Sequence, residues 1–233
     1  MLRLFSPAPP SDGRLEIGGD EFRHFHTWRL GVGDRLIVFD ASGGEHAAIV
    51  TAVLSRSATL RIESTRQVDR ESLLEVTLAA ALLKGRKLDL VIEKATELGV
   101  SRVVPFMSAH TVGERDHRER WERIALAAAK QSGRTRVPAV DAAVSFPELL
   151  TTPSAGLKLL AWEDEAAQRL RDLPVAATST LIVVGPEGGF APHEVAAAHA
   201  RDFATITLGP RVLRAETAAI VAVALLQQRW GDG

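Results

Sequence analysis

Two stretches, IVVGPEGGF (182–190) and TLGPRVLRAET (207–217), each leave an apolar run through Gly-Pro and lead into a helix-like segment. Glycines at such a junction let backbone N–H and C=O groups approach a ligand without an intervening Cβ. A phosphate loop would need Lys and then Ser or Thr after its glycines, whereas Phe190, Ala191 and Pro192 follow here. A dinucleotide fingerprint needs a different glycine spacing and an early strand. NTP hydrolysis and NAD binding are therefore disfavoured. What remains is a cleft offering backbone hydrogen bonds, with Arg211, Arg214 and Glu216 at its rim. Backbone-lined clefts suit the edges of adenine and ribose, and a nearby carboxylate suits a cationic ligand such as a sulfonium. Glu216 is equally well placed as a first-turn helix acid favoured by the macrodipole, and Thr217 as a first-turn residue with local backbone contacts.

The surrounding pattern supplies elements to hold these loops. Residues 1–72 read as short strands, RLIVF (35–39), EHAAIVTAVL (45–54) and TLRIE (59–63), with turn-rich DASGG and SRSA between them. Such spacing predicts a small antiparallel barrel or sandwich. The polar stretch STRQVDRES (64–72) is read as a boundary, giving a first domain of 1–72 and a second of 73–233. Beyond it strands at 76–83, 102–107, 157–162, 180–184 and 203–208 alternate with helices at 87–98, 118–131, 192–201 and 215–230. That rhythm predicts an α/β domain with a mostly parallel sheet. Ligands of such sheets bind beyond the carboxyl ends of the strands, where both Gly-Pro loops fall. The last helix is apolar nearly all round, as in a fully buried helix or a dimer interface.

Composition narrows the chemistry. The sequence contains no cysteine, which excludes disulfides, cysteine-ligated metal and a cysteine nucleophile. No apolar run reaches the length of a membrane span, and the expectation is a soluble cytoplasmic protein. Net charge is −1, so a global nucleic-acid signature is absent, yet 23 of the 28 basic residues are arginine. They cluster locally. Arg115, Arg118, Arg120, Arg123, Lys130, Arg134 and Arg136 outnumber Asp116, Glu119 and Glu122 across 115–136, and Lys84, Arg86 and Lys87 adjoin in LKGRK. Clustering of this kind points to an RNA surface that includes Lys84, Arg86, Gln131, Arg134 and Arg136. Arginine near a helix C-terminus is also electrostatically favourable without any ligand. In the first domain Arg23, His24, His26 and Arg29 are candidate RNA contacts. His24 and His26 have the spacing of a metal pair but lack a third ligand, so no metal is expected. Trp28 and Trp121 read as core residues, and His46, His117, His193 and His199 as surface ones.

IVVGPEGGF, LGPRVLRAETA, EKATELGVSRVVPF and AKQSGRTRVP together resemble the RsmE-type ribosomal RNA small-subunit methyltransferases of the SPOUT superfamily, as does the opening FRHFHTWRLGVGDRLIVFD. The likeness extends in order along nearly the whole chain. It implies a PUA-like RNA-binding β-barrel followed by an α/β domain with a trefoil knot. It further implies a homodimer that takes S-adenosylmethionine and methylates N3 of a decoding-region uridine in 16S rRNA, with the assembled small subunit favoured over free RNA. Carried over by residue, Gly185, Glu187, Gly188 and Gly189 form one cofactor loop. Leu208, Gly209, Leu213, Arg214, Glu216 and Thr217 form the other. Uracil N3 becomes a good nucleophile on deprotonation, and each pKa unit above ambient costs about 1.4 kcal/mol. A cation near O2 or O4 lowers that cost, and Arg134 or Arg214 is the candidate, with Glu216 beside them. Methylation of ribose 2′-O or guanosine N1, or an RNA-binding protein without catalysis, are the competing readings. Where the family commonly has Ser-Glu-Arg-Ser after the VVPF strand, this chain has Ser108, Ala109, His110 and Thr111.

Overall fold

A computed structural model describes residues 2–40, 42–68, 70–112, 116–153, 156–173 and 177–233. The chain forms two compact units, one of Met1–Glu71 with Ala129–Val137, the other of Ser72–Ala128 with Pro138–Gly233. The segment 129–137, which the sequence pattern places in the second domain, therefore packs with the first.

The first unit is built on strands β1 (Arg3–Ser6), β2 (Arg14–Gly18), β3 (Arg35–Asp40), β4 (Gly44–Val53) and β5 (Ser57–Gln67), in the sheet order β1-β3-β4-β5-β2. β1 runs parallel to β3, and the remaining pairs are antiparallel. Irregularities at Ala47/Ala48 and Val50/Ala52 curl the long β4–β5 ribbon, as bulges do. Leu4, Ile17, Leu36, Val38, Val50 and Leu60 meet inside the curl. Residues 64–67, read as boundary, continue β5. One helix interrupts the expected run of strands. α1 (Gly19–Thr27) turns Phe22 and Phe25 into the core, with Asp20 and Glu21 in its first turn and His24 and His26 in its last, the order that the macrodipole favours.

Two polar knots are buried in this unit. Glu45 accepts hydrogen bonds from Arg3, Arg66 and Arg70. Burial pushes its carboxyl up, but the three guanidinium groups outweigh that and bring it down to about 2. His46, expected at the surface, is only 4% exposed. Its Nε2 lies 2.8 Å from Asp40 and its Nδ1 2.9 Å from Thr65 Oγ1. Trp28 departs from expectation in the other direction and is 57% exposed, whereas Trp121 is buried as expected.

The second unit carries a fully parallel sheet. β6 (Glu75–Ala81), β7 (Arg102–Met107), β8 (Ala139–Val140), β10 (Leu157–Ala161), β11 (Ser179–Val184) and β12 (Ala204–Ile206) follow the order β12-β10-β11-β6-β7-β8, and the short β9 (Val144–Ser145) also pairs with β7. α2 (Lys87–Glu97) and α6 (Ala215–Trp230) pack together, and α6 also rests on β6 and β11. α3 (Arg118–Ser132) follows β7 and runs into the segment assigned to the first unit. α4 (Phe146–Leu149) and α5 (Pro192–His199) contribute Phe146, Leu149, Val195 and Ala198 to a cluster with Phe106, Leu160 and Val183. Gly99, at φ +87°, ends α2, and Pro192 opens α5, both as the sequence predicts. The strand order reverses around β11, so the loops that follow β10, β11 and β12 gather at one edge. Among the described residues no helix is long and apolar enough to cross a membrane.

Candidate active site

The two Gly-Pro loops face one another across a cleft of about 360 Å³ beyond β10, β11 and β12. Gly185, Glu187, Gly189, Leu208, Gly209, Leu213 and Arg214 line it, together with Ala161, Trp162 and Glu163 from the end of β10. Gly188, Glu216 and Thr217 are not among the residues that line it. Trp162 and Glu163 carry no glycine signature and escaped the sequence reading. Their only signal is the sequence AWED at the end of an apolar strand.

The first loop is held from below and from the side. Phe190 is 7% exposed, with its ring centroid 5.5 Å from Phe146 and 6.4 Å from Phe106. Gly189 has φ +68°, and a Cβ there would stand 1.8 Å from Glu163 Oε1. His110 Nδ1 donates to the Gly188 carbonyl at 3.0 Å, and a Cβ on Gly188 would lie 2.9 Å from the His110 Cβ. The segment that departs from the family pattern is thus part of the wall behind this loop. Buried Glu194 fastens it there, accepting from the Ala109 and Ala191 N–H groups, each at 2.9 Å.

Charge in the site is organised around Lys87, the first residue of α2. Its Nζ donates to Glu187 Oε1 at 2.8 Å and lies 3.6 Å from Glu216 Oε2. Burial pushes the Glu187 carboxyl up, but the hydrogen bond from Lys87 prevails and holds it below the ordinary carboxylate range. The same hydrogen bond raises Lys87. Arg214 immediately precedes α6, with its side chain exposed and no capping hydrogen bond from it.

Arg134 stands elsewhere. It is 5% exposed, and its guanidinium is bonded to Glu71, whose other oxygen accepts the Thr135 and Arg136 N–H groups at 3.1 Å. Its carbonyl accepts a hydrogen bond from Arg3 at 3.0 Å. Where the sequence reading places Arg134 at the target base, the structure has its Nε and one Nη bonded to the Glu71 carboxylate. The other candidate RNA contacts, Arg23, His24, Arg29, Lys84, Arg86, Gln131 and Arg136, are exposed. Arg29 has φ +54°, an uncommon backbone angle for a residue with a side chain. Arg115 lies outside the described residues.

Comparison with known proteins agrees with this arrangement. An RNA methyltransferase domain family matches residues 70–227. Ribosomal RNA small subunit methyltransferase E of Bacillus subtilis is 34% identical over 91% of this chain and 89% of its own. That of Mycobacterium bovis is 34% identical over 99% and 93%. The crystal structure of the Neisseria gonorrhoeae methyltransferase E bound to S-adenosyl methionine superimposes with a TM-score of 0.93 at 32% identity, covering 100% of this chain and 99% of that one. A Legionella pneumophila structure in complex with the same cofactor gives 0.94 at 31%, with the same coverage. With its curled sheet, its parallel sheet and its paired Gly-Pro loops, this chain belongs to the ribosomal RNA small subunit methyltransferase E family.

Proposed function

We propose that this protein transfers a methyl group from S-adenosylmethionine to N3 of a decoding-region uridine in 16S rRNA, acting in the cytoplasm as a homodimer on the assembled small subunit. The cleft between the Gly-Pro loops carries this reading. Its residues fit the cofactor's chemistry. Ala161, Val184 and Leu213 offer apolar surface for a purine face. The backbone of Gly185, Gly189, Leu208 and Gly209 offers hydrogen bonds for ring edges and hydroxyls. Glu163 and Glu187 supply negative charge toward a cation, while no lysine-bearing phosphate cradle is present in either loop. The volume is at the small end of the usual range for such sites, about 300–1,000 Å³. Gly188, Glu216 and Thr217 complete the proposed cofactor shell. When bound, S-adenosylmethionine supplies an electrophilic methyl group.

The chain's own residues then have to deliver a uracil whose N3 has lost its proton. Arg214, exposed at the cleft rim, is the cation that stabilises negative charge on O2 or O4. Holding the base edge-on to the cleft supplies orientation, which carries much of the barrier reduction in such transfers. For the RNA grip we propose the exposed Arg23, His24 and Arg29 of the first unit, read as a PUA-like barrel, and Lys84, Arg86, Gln131 and Arg136. Trp28 adds an exposed face on which an unpaired base can stack. The second unit is read as a trefoil-knotted SPOUT domain. The outward side of α6 favours a dimer, since Ile220, Val221 and Ala224 are half-buried and Leu225 is 36% exposed.

Mass mapping tests the reading. Small subunits from cells lacking this activity are incubated with the protein and labelled S-adenosylmethionine, then digested. Label as 3-methyluridine at one decoding-region position is the expected result. Label on a ribose 2′-oxygen or on guanosine N1 would replace the proposed specificity. No label from a protein that still binds the cofactor would make it an RNA-binding protein without catalysis.

A further inference from the structure

We infer that Lys87 is a positioning residue that braces the two Gly-Pro loops, holding Glu187 of the first and Glu216 behind the second around one ammonium group. The inference rests on reading the cleft as the S-adenosylmethionine site. Three elements meet at this side chain. Lys87 opens α2, Glu187 lies in the loop after β11, and Glu216 is in the first turn of α6. Their separation in sequence is large, 100 positions between Lys87 and Glu187. Only the sheet order, with β6 beside β11, brings them together.

Local helix chemistry does not account for this lysine. A cation in the first turn opposes the helix dipole, and an acid would be favoured there. The lysine's surroundings do account for it. Glu187 accepts the Lys87 ammonium at 2.8 Å, so its carboxylate is held by the first residue of α2. Glu216 Oε2 is a buried oxygen with no hydrogen-bond partner among the described residues, and the Lys87 ammonium is the cation nearest to it in an ion pair, at 3.6 Å. Without that cation, the carboxylates of the β11 loop and of the α6 first turn would repel each other and Glu216 would be left buried without a counter-charge. The depressed Glu187 carboxyl and the raised Lys87 amine follow from the same contact.

A partly exposed ion pair contributes little to global stability. The brace therefore predicts a loss in cofactor affinity out of proportion to any loss in melting temperature. The test is a double-mutant cycle on the full chain, with S-adenosylmethionine affinity measured by calorimetry and melting followed in parallel. Lys87→Met should weaken binding by about tenfold with little change in melting, and Lys87→Arg should recover most of the loss. Glu187→Gln should weaken binding less, and its effect should largely vanish in the Lys87→Met background. Wild-type affinity in Lys87→Met, or strictly additive effects in the cycle, overturns the brace. Should Lys87→Met fold poorly, Lys87→Gln replaces it in the same cycle, and the same coupling is required. A wild-type protein that binds no S-adenosylmethionine overturns the reading of the cleft and the brace with it. Normal wild-type binding beside an indifferent Lys87 variant overturns the brace alone.

Discussion

The two Gly-Pro loops share an exit from the sheet and differ in almost everything that follows. After Gly185 the chain is packed, with Phe190 sunk among Phe106 and Phe146 and Gly188 bonded to His110. After Gly209 it is open, since Val212 is 86% exposed and Arg211 and Arg214 also face solvent. Glycine serves a different purpose in each. At 188 there is no room for a side chain, whereas at 209 there is room but the backbone sits at φ +134°. One wall of the cleft is thus preformed, and the other has few contacts to hold it in one shape. A cleft proposed to admit a cofactor and then an RNA base suits such a pairing of a rigid wall with an adaptable one.

The contrast is broken most severely at Gly188. Gly188→Leu should cost about 3 kcal/mol of cofactor binding, roughly a hundredfold or more in calorimetry, with modest loss of melting temperature. Because the collision is with the His110 Cβ itself, His110→Gly in the same chain should restore part of the affinity and His110→Ala should not. An unchanged affinity in Gly188→Leu would remove the loop from the site. Arg214→Ala tests the open wall. Cofactor affinity should stay within about twofold, while the single-turnover methylation rate on saturating subunits falls by roughly a hundredfold or more, the size of one lost electrostatic contact. A rate equal to wild type would remove Arg214 from the catalytic role. The smallest effect belongs to Val212→Ser. With its side chain in solvent, stability should stay within about 0.5 kcal/mol by chemical denaturation. A larger drop would mean that the second loop is packed as firmly as the first.

Both loops were legible because their signal is local. Gly-Pro after an apolar run, followed by helical periodicity, needs no partner elsewhere in the chain. The elements that carried periodicity over enough residues were legible too, from β3 to α6. α1 was missed because only Phe22 and Phe25 mark its buried face, and its first residue is itself glycine. The roles of individual charges were the least legible. Arg134 looked free at a helix end, and its partner Glu71 lies 63 positions away. Lys87 looked like one more cation in a basic run. His46 looked like a surface residue because nothing adjacent announces Asp40 and Thr65 as its bonding partners. Each of these depends on which strands become neighbours, and composition or spacing along the chain does not contain that information.

The three arginines around Glu45 make the first unit a proton-linked structure. Its carboxyl titrates near the ordinary 4.5 in the unfolded chain and at about 2 in the folded one. A depressed acid stabilises fully above its unfolded value and progressively less as pH falls toward its folded one, so this contribution fades between about pH 4.5 and 2. Protonation there releases more than a single pair. Arg3 and Arg70 also donate to the Gly133 carbonyl, so the same guanidinium groups that hold Glu45 fasten 129–137 to the unit. Urea denaturation midpoints should fall from pH 5 to pH 3, and Glu45→Gln should flatten that slope while lowering stability at pH 7. An acid slope unchanged by Glu45→Gln would assign the linkage to other carboxylates. With Glu45 as the linked group, acidity acts on this chain first as a loosening of the segment at the end of α3.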